Sequence, residues 1–443
     1  MDSRLRGNDR IVTLSMKAPI PMPSGLILDH CEETTLRCGA KLIYKHLPGA
    51  PRLAFGIYLP GGNRLDRISG EADLRDRLMT KGTADKDQEA IATALDSLSL
   101  EMDVDTKRDY SILSGTLLPE DLDESLALSM ELMFQSTFYE LEREKFKIAG
   151  EIQMELDSPR ARASDMLVRH IFGHTAYGVV GTVFLENLEK FTSPDWFAAR
   201  QSAVYHPSRW VVVVSGDTTV DTLSKAFDAA VEPYLAQLGT PEPNDTLDLS
   251  GVVIPADHTL TFARDDSNQA HIFQAWMGPT MTHADYTPLV VMNTILGGAG
   301  LSSRMFVELR DKQGLAYNVR SALEGFKDCG LISLYIGTNP ENKQKCLDGF
   351  KTEIQKLIDT PVPADELADA KRNVLGRRKV YLETAGQQAG YLGSNLLLGR
   401  TFADLERLDD AIQAVTPDDI QRVTHTYFSK PSVVSIVAPS SVL

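Results

Sequence analysis

The chain has 443 residues, 45 lysines and arginines against 61 aspartates and glutamates, a formal charge of −16 at pH 7, and four cysteines. That acidity argues against nucleic acid or an anionic membrane as partner. No apolar run reaches the ~20 residues of a spanning helix, and scattered cysteines without a C-x-x-C make neither a disulfide framework nor a zinc or redox motif. The composition, 43% hydrophobic and 24% charged, is that of a soluble protein of about two to four domains.

In chain order, Met1 to about Ser24 (residues 1–24), with Pro19, Pro21 and Pro23, reads as a tail or arm, or as sequence upstream of a start at Met16. Its apolar patch Ile11–Leu14 is too short for a signal-peptide core. Strands are predicted over Lys41–Tyr44 and Arg52–Leu59, then an amphipathic helix, a strand over Tyr110–Gly115, a helix pair, and a last strand over Trp210–Ser215. Residues 239–258, with three prolines and few large side chains, read as a linker. Beyond it the order recurs: strands over Thr259–Phe262 and His271–Ala275, a helix, a strand over Leu331–Ile336, helices, and a last strand over Val433–Val437.

Short sequences recur with it. Thr192-Ser193-Pro194-Asp195 matches Val415-Thr416-Pro417-Asp418, Pro207-Ser208 matches Pro431-Ser432, and Gly115-Thr116 matches Gly337-Thr338, at offsets of 222 to 224 residues. Three matches in one order at nearly one offset indicate two homologous halves. The expected fold is α+β: two homologous domains, residues 25–238 and 259–443, each a mixed or antiparallel sheet covered by helices. Gly297-Gly298-Ala299-Gly300 lacks the G-x-G-x-x-G spacing of a dinucleotide site and reads as a tight loop before a helix. His170 and His174, four apart with no acidic base between them, read as a packed or hydrogen-bonded pair. His271 reads as a structural residue on a strand.

Three stretches carry more information. They are Gly70–Thr83 (GEADLRDRLMTKGT); Glu144–Pro159 with Glu151, followed by His170–His174 and Tyr177-Gly178; and Leu296–Arg304 (LGGAGLSSR) running on through Glu308 to Tyr317. Together they resemble the pitrilysin/insulinase family of zinc peptidases, especially its two-subunit branch with the mitochondrial and bacterial processing peptidases. The resemblance extends from about Leu26 to Pro439.

It implies an inverted zinc motif, HxxEH, before the Lys81-Gly82-Thr83 turn, with a glutamate ligand downstream. The slots of that motif hold Asp73, Asp76 and Arg77 here, and the downstream glutamate falls on Glu151. Both histidines are replaced, the base is shortened to aspartate, and one ligand has become a guanidinium that stays protonated. No zinc is expected on this chain, with Arg77 in the cation's place, paired with Glu151 or Asp73. The alternative is a solvated Asp73–Arg77 pair one helical turn apart, with no further role.

The third stretch keeps the family's Arg and Tyr seven residues apart, here Arg310 and Tyr317. The resemblance assigns them hydrogen bonds to the substrate backbone and to the oxyanion of peptide hydrolysis; the alternative is a helix-end arginine and a half-buried strand tyrosine. Loss of the zinc ligands with retention of this pair resembles the non-zinc subunit of a heterodimeric zinc endopeptidase. Such a chain is inactive alone and forms half of a clam-shell chamber. A homologous HxxEH-containing partner subunit supplies the zinc, and unstructured peptides are the substrates. A catalytically inactive scaffold or peptide-binding homologue is the alternative, and an active homodimer would need zinc held without histidines. An acidic chamber wall would favour basic peptides. The bacterial two-subunit resemblance implies the periplasm; the sequence as given, without a signal peptide, would be cytoplasmic.

Overall fold

Two near-continuous apolar runs, Leu53–Pro60 and Val211–Gly216, form adjacent strands inside the first sheet. A strand with no polar alternation is buried on both faces, and that requirement shapes the whole molecule. The computed structural model describes residues 28–173, 175–241, 247, 249, 252, 254 and 256–443.

The first sheet holds β1 (Cys31–Thr35), β2 (Lys41–His46), β3 (Leu53–Pro60), β4 (Glu101–Thr106), β5 (Tyr110–Leu117) and β6 (Val211–Gly216), in the order β1-β2-β6-β3-β5-β4. The second holds β7 (His258–Ala263), β8 (Ala270–Gly278), β9 (Ala316–Gly325), β10 (Gly330–Thr338) and β11 (Val433–Ala438), in the order β7-β11-β8-β10-β9. Without β1 the two topologies are identical. One parallel pair, β2 with β6 and β7 with β11, joins otherwise antiparallel neighbours. The fold is thus α+β, with one mixed sheet in each half.

Four helices build the candidate sites and the junction between the halves: α1 (Glu71–Leu78), α2 (Leu141–Leu156), α3 (Pro159–Phe172) and α4 (Ala385–Leu397). One face of each sheet packs on helices of its own half. On the first sheet Leu42, Phe55, Ile57 and Val212 join Leu126, Met130 and Phe227; on the second Ile272, Ile332 and Ile336 join Leu289, Phe350 and Ile420. The opposite faces are covered across the halves. Ile43, Tyr58 and Val213 of the first sheet pack on Ala389 and Leu392 of α4, from the second half. Phe273, Leu331, Tyr335 and Val437 of the second sheet pack on Leu167, Val168, Ile171 and Phe172 of α3, from the first half.

Burial of an aliphatic or aromatic side chain contributes roughly 2 kcal/mol. The four large apolar residues of α3 therefore contribute about 8 kcal/mol to the second sheet, comparable to the entire net stability of a domain. Charge fixes the same junction. The Arg64 guanidinium, buried in the first half, is hydrogen-bonded to Asp109 at 3.1 Å, to the Tyr177 hydroxyl at 3.2 Å, and to Asp328 in the β9–β10 turn of the second half. The Tyr177 hydroxyl donates to Asp109 at 2.7 Å, and the Lys327 amide donates to the other Asp109 oxygen at 2.9 Å. Breaking a buried ionic set of this kind costs about 3–5 kcal/mol.

The expected tail, residues 1–24, lies outside the described residues, as does most of the middle of the expected linker, and β7 already begins at His258. His174 is also outside them; His170 stacks on His258 of β7, with ring centres 4.6 Å apart and planes 3° from parallel. Burial, then His258, lowers the His170 pKa.

Two outcomes are expected from the exchanged helices. Residues 28–241 and 256–443, produced separately, are expected to be insoluble or to bind a hydrophobic dye. Co-expression should restore a cooperative unfolding transition, and a first half that folds alone would contradict the exchange. Gly393 faces Tyr58, whose ring atoms lie within 2.0–2.4 Å of where a Cβ would stand. Gly393→Ala gains ~1 kcal/mol of helix propensity but overpacks a ring that is 1% exposed. A net loss of about 2 kcal/mol is expected in denaturant unfolding.

Candidate functional site

The expected motif positions lie on α1 and the expected glutamate on α2. Asp76 is buried and fully engaged. One carboxylate oxygen accepts from Arg75 Nε at 2.9 Å and the Tyr205 hydroxyl at 2.6 Å, the other from Thr106 Oγ1 at 2.7 Å and from Ser111. Asp73 accepts from Asn63 Nδ2 at 2.5 Å, and the same amide reaches Asp66 at 3.3 Å. Arg77 turns away from Asp73. Its two terminal nitrogens lie 2.9 and 2.5 Å from one oxygen of Glu151, and its Nε lies 3.8 Å from Glu144. Glu144 and Glu151 are seven residues apart on α2, two turns of one helix face, so one guanidinium reaches both. Among the described residues Arg77 is thus paired with Glu151, and Asp73 with Asn63.

These residues do not fit zinc. A zinc site needs three or four deprotonated ligands converging on one point. Here the three positions on α1 face three different sets of partners, a cation with no lone pair stands before the glutamates, and among the described residues no three His, Cys, Asp or Glu side chains are grouped to hold a metal.

In the second half, Thr294–Gly298 and Phe306–Lys312 run as π-helix, a wide coil that is frequent at functional positions. The segment between them is held by Arg304, whose guanidinium grips Glu366 at 2.8 and 2.7 Å. Gly297 packs so closely on β9 that a Cβ there would lie 2.5 Å from the Ser321 amide nitrogen. The expected tight loop is therefore a coil pressed against a strand. Arg310 leaves the second π-helix with its guanidinium carbon 4.2 Å from the Phe306 ring centre and 5.1 Å from that of Tyr317.

Tyr317 sits at an irregularity of β9. Asn318 pairs with Gly337 and Ala316 with Thr338, leaving Tyr317 as the unpaired extra residue. Such bulges re-aim side chains at sheet edges, and Tyr317 is 81% exposed on an edge strand rather than half-buried. Neither the Arg310 guanidinium nor the Tyr317 hydroxyl makes a hydrogen bond or ion pair among the described residues. Asn63, which holds Asp73, escapes a sequence reading because it acts through a tertiary contact with no spacing rule, whereas Phe306 backs Arg310 from four residues earlier on the same helix, a spacing that a sequence reading could use.

His271 donates to or accepts from the Tyr335 hydroxyl at 3.0 Å on the sheet. Burial pushes the Asp73 carboxyl up to about 6, opposed by the Asn63 hydrogen bond and reinforced by the charge of Asp76. Because this folded pKa lies above the unfolded value near 3.9, the native state is favoured by protonated Asp73 and loses stability as pH rises through 6. The loss is up to about 3 kcal/mol. Asp73→Asn is therefore expected to raise Tm at pH 7.5, with the difference vanishing toward pH 4. An equal gain at both pH values would contradict the assignment.

The geometry can be set beside known proteins. Residues 41–180 match the family described as Insulinase (Peptidase family M16), and residues 197–374 match the Peptidase M16 inactive domain. The chain is 26% identical over 413 residues to the uncharacterized zinc protease YmxG of Bacillus subtilis, covering 92% of this chain and 98% of that one. Its fold is similar to a peptidase M16 inactive domain from Pseudomonas fluorescens (TM-score 0.83, 20% identity, 93% and 98% of the two chains). It is also similar to a protease from Helicobacter pylori (TM-score 0.82, 21% identity, 92% and 99%). Both halves of the duplicated fold are thereby accounted for, and the chain belongs to the M16 (insulinase) peptidase family.

Proposed function

We propose that this chain is the non-zinc subunit of a heterodimeric zinc endopeptidase, forming half of a clam-shell chamber and presenting Arg310 and Tyr317 to a peptide held at a partner's zinc. The observation that carries this reading is the contrast between the two candidate sites. At α1 every charged group already has its partner within the chain, whereas the part-buried Arg310 and the exposed Tyr317 stand together with donors that have no partner among the described residues.

The chemistry suits the residues. A guanidinium offers a fixed positive fork, and a phenol offers a donor that stays protonated at neutral pH. Aimed at a carbonyl oxygen that becomes an oxyanion, they stabilise the transition state more than the ground state. The Phe306 ring limits the freedom of Arg310, so little ordering remains for the moment of reaction. The partner is a homologous subunit carrying HxxEH. An inactive scaffold is the competing reading, and the unpartnered state of both donors favours the enzyme subunit over it.

The deciding experiment measures cleavage of an unstructured peptide by this chain, by an HxxEH-bearing homologue, and by the two together. Activity confined to the mixture is expected, and equal activity of the lone homologue would count against the proposal. In the mixture, Tyr317→Phe is expected to lower kcat by roughly 10²-fold with little change in KM, the signature of a lost transition-state donor.

A further inference from the structure

A cleft of about 620 Å³ opens between α2 and α3 of the first half and the β9–β10 face of the second. Its floor is a cross-strand row in which Arg320 of β9 stands opposite Tyr335 of β10, which in turn stands opposite Phe273 of β8. From the other wall α3 presents Arg160 in its first turn. The Arg160 guanidinium carbon lies 4.7 Å from the Tyr335 ring centre and that of Arg320 lies 5.8 Å from it. Folding thus brings two positive charges from different halves onto one ring.

Neither arginine forms an ion pair or hydrogen bond among the described residues. The third arginine of the cleft differs: Arg108 is held by Glu324 at 3.6 Å and donates to the Tyr177 carbonyl at 3.1 Å. Of the acidic groups, Asp165 accepts from Thr182 through both oxygens, at 2.9 and 2.6 Å, and Glu155 is exposed. The N-terminus of the 14-residue α3 opens on the same space and adds a partial positive charge. Two guanidiniums without an ion pair, both set against the Tyr335 ring, make a receptor for a carboxylate, with fork geometry that matches its two oxygens.

We propose that this cleft binds the acidic side chain of an extended peptide through Arg160 and Arg320. Arg320 follows Tyr317 by three residues on the same edge strand, about 10 Å along it at ~3.3 Å per residue. A peptide lying at Tyr317 has the length to place a side chain in the cleft. Phe273, Leu331 and Tyr335 supply an apolar wall for a flanking residue, which a free inorganic anion would not use. The inference rests on the peptide-binding role proposed above and names its substrate class. Net acidity alone points the other way, to basic peptides. Local charge decides, because at physiological salt charges beyond about 8 Å are largely screened.

The test uses the full chain without a partner. Two fluorescein-labelled, unstructured ten-residue peptides, identical except for a central Glu or Gln, are titrated by fluorescence anisotropy at 50 mM salt. The Glu peptide is expected to bind about 10-fold more tightly. The double variant Arg160→Gln/Arg320→Gln is expected to bind both as the native chain binds the Gln peptide. Arg320→Gln alone, at an exposed position, should lose most of the preference without any question of folding. Arg310→Ala should keep the preference in full, which separates this result from the role of Arg310 in turnover. Equal binding of the two peptides, or a preference that survives the double substitution, overturns the proposal. So does displacement of the Glu peptide by micromolar inorganic phosphate, which would assign the cleft to a free anion.

Discussion

Each sheet has two apolar faces, and each half of the chain covers only one of them with its own helices. The exchange of α3 and α4 is the consequence. Sheets buried on both faces cannot end in solvent, so each half is incomplete until the other supplies its missing layer. The buried Arg64–Asp109–Tyr177–Asp328 set then fixes the angle at which the halves meet. A hydrophobic interface alone tolerates sliding, whereas a desolvated guanidinium with two carboxylates does not. The position of α2 and α3 against β9, and therefore the cleft with Arg160 and Arg320, is set by this junction rather than by either half.

The two candidate sites use charge in opposite ways. On α2, Glu144 and Glu151 project toward one point and need a cation there. Arg77 supplies it from within the chain, and Asp76 is drawn into the core by Arg75 and Tyr205. The region is electrostatically closed. In the second half Arg310 stands beside the rings of Phe306 and Tyr317, with no counter-charge paired to it among the described residues. The charged groups of α1 are thus held by partners within the chain, while the Arg310 guanidinium has no hydrogen bond or ion pair among the described residues.

Much of this was legible in the sequence. The duplication is visible in proline-containing matches because Pro at a helix start tolerates no shift in register. Both copies of that helix, Asp195–Val204 and Pro417–Phe428, end just before an equivalent strand. The sequence predicts strands over Arg52–Leu59 and Trp210–Ser215 in sheets covered by helices, but no pattern in a strand says which helix covers it. The exchange was therefore invisible. Arg310 and Tyr317 are singled out in the sequence through their setting in a motif. The π-helix that carries one and the bulge that exposes the other depend on backbone hydrogen bonding, to which side-chain periodicity is blind. Arg160 and Arg320 carry no local signal at all: one looks like a helix-start arginine and the other like an ordinary strand residue until the halves are brought together.

The most direct measurement of the proposed role is a single-turnover rate on the assembled heterodimer with Arg310→Ala in this chain, alongside the affinity of the two subunits for each other. Loss of a preorganised oxyanion donor should slow peptide cleavage by about 10²-fold or more, with subunit affinity unchanged and peptide binding weakened far less than the rate. An unaltered rate in an intact complex would contradict it and leave the chain a scaffold.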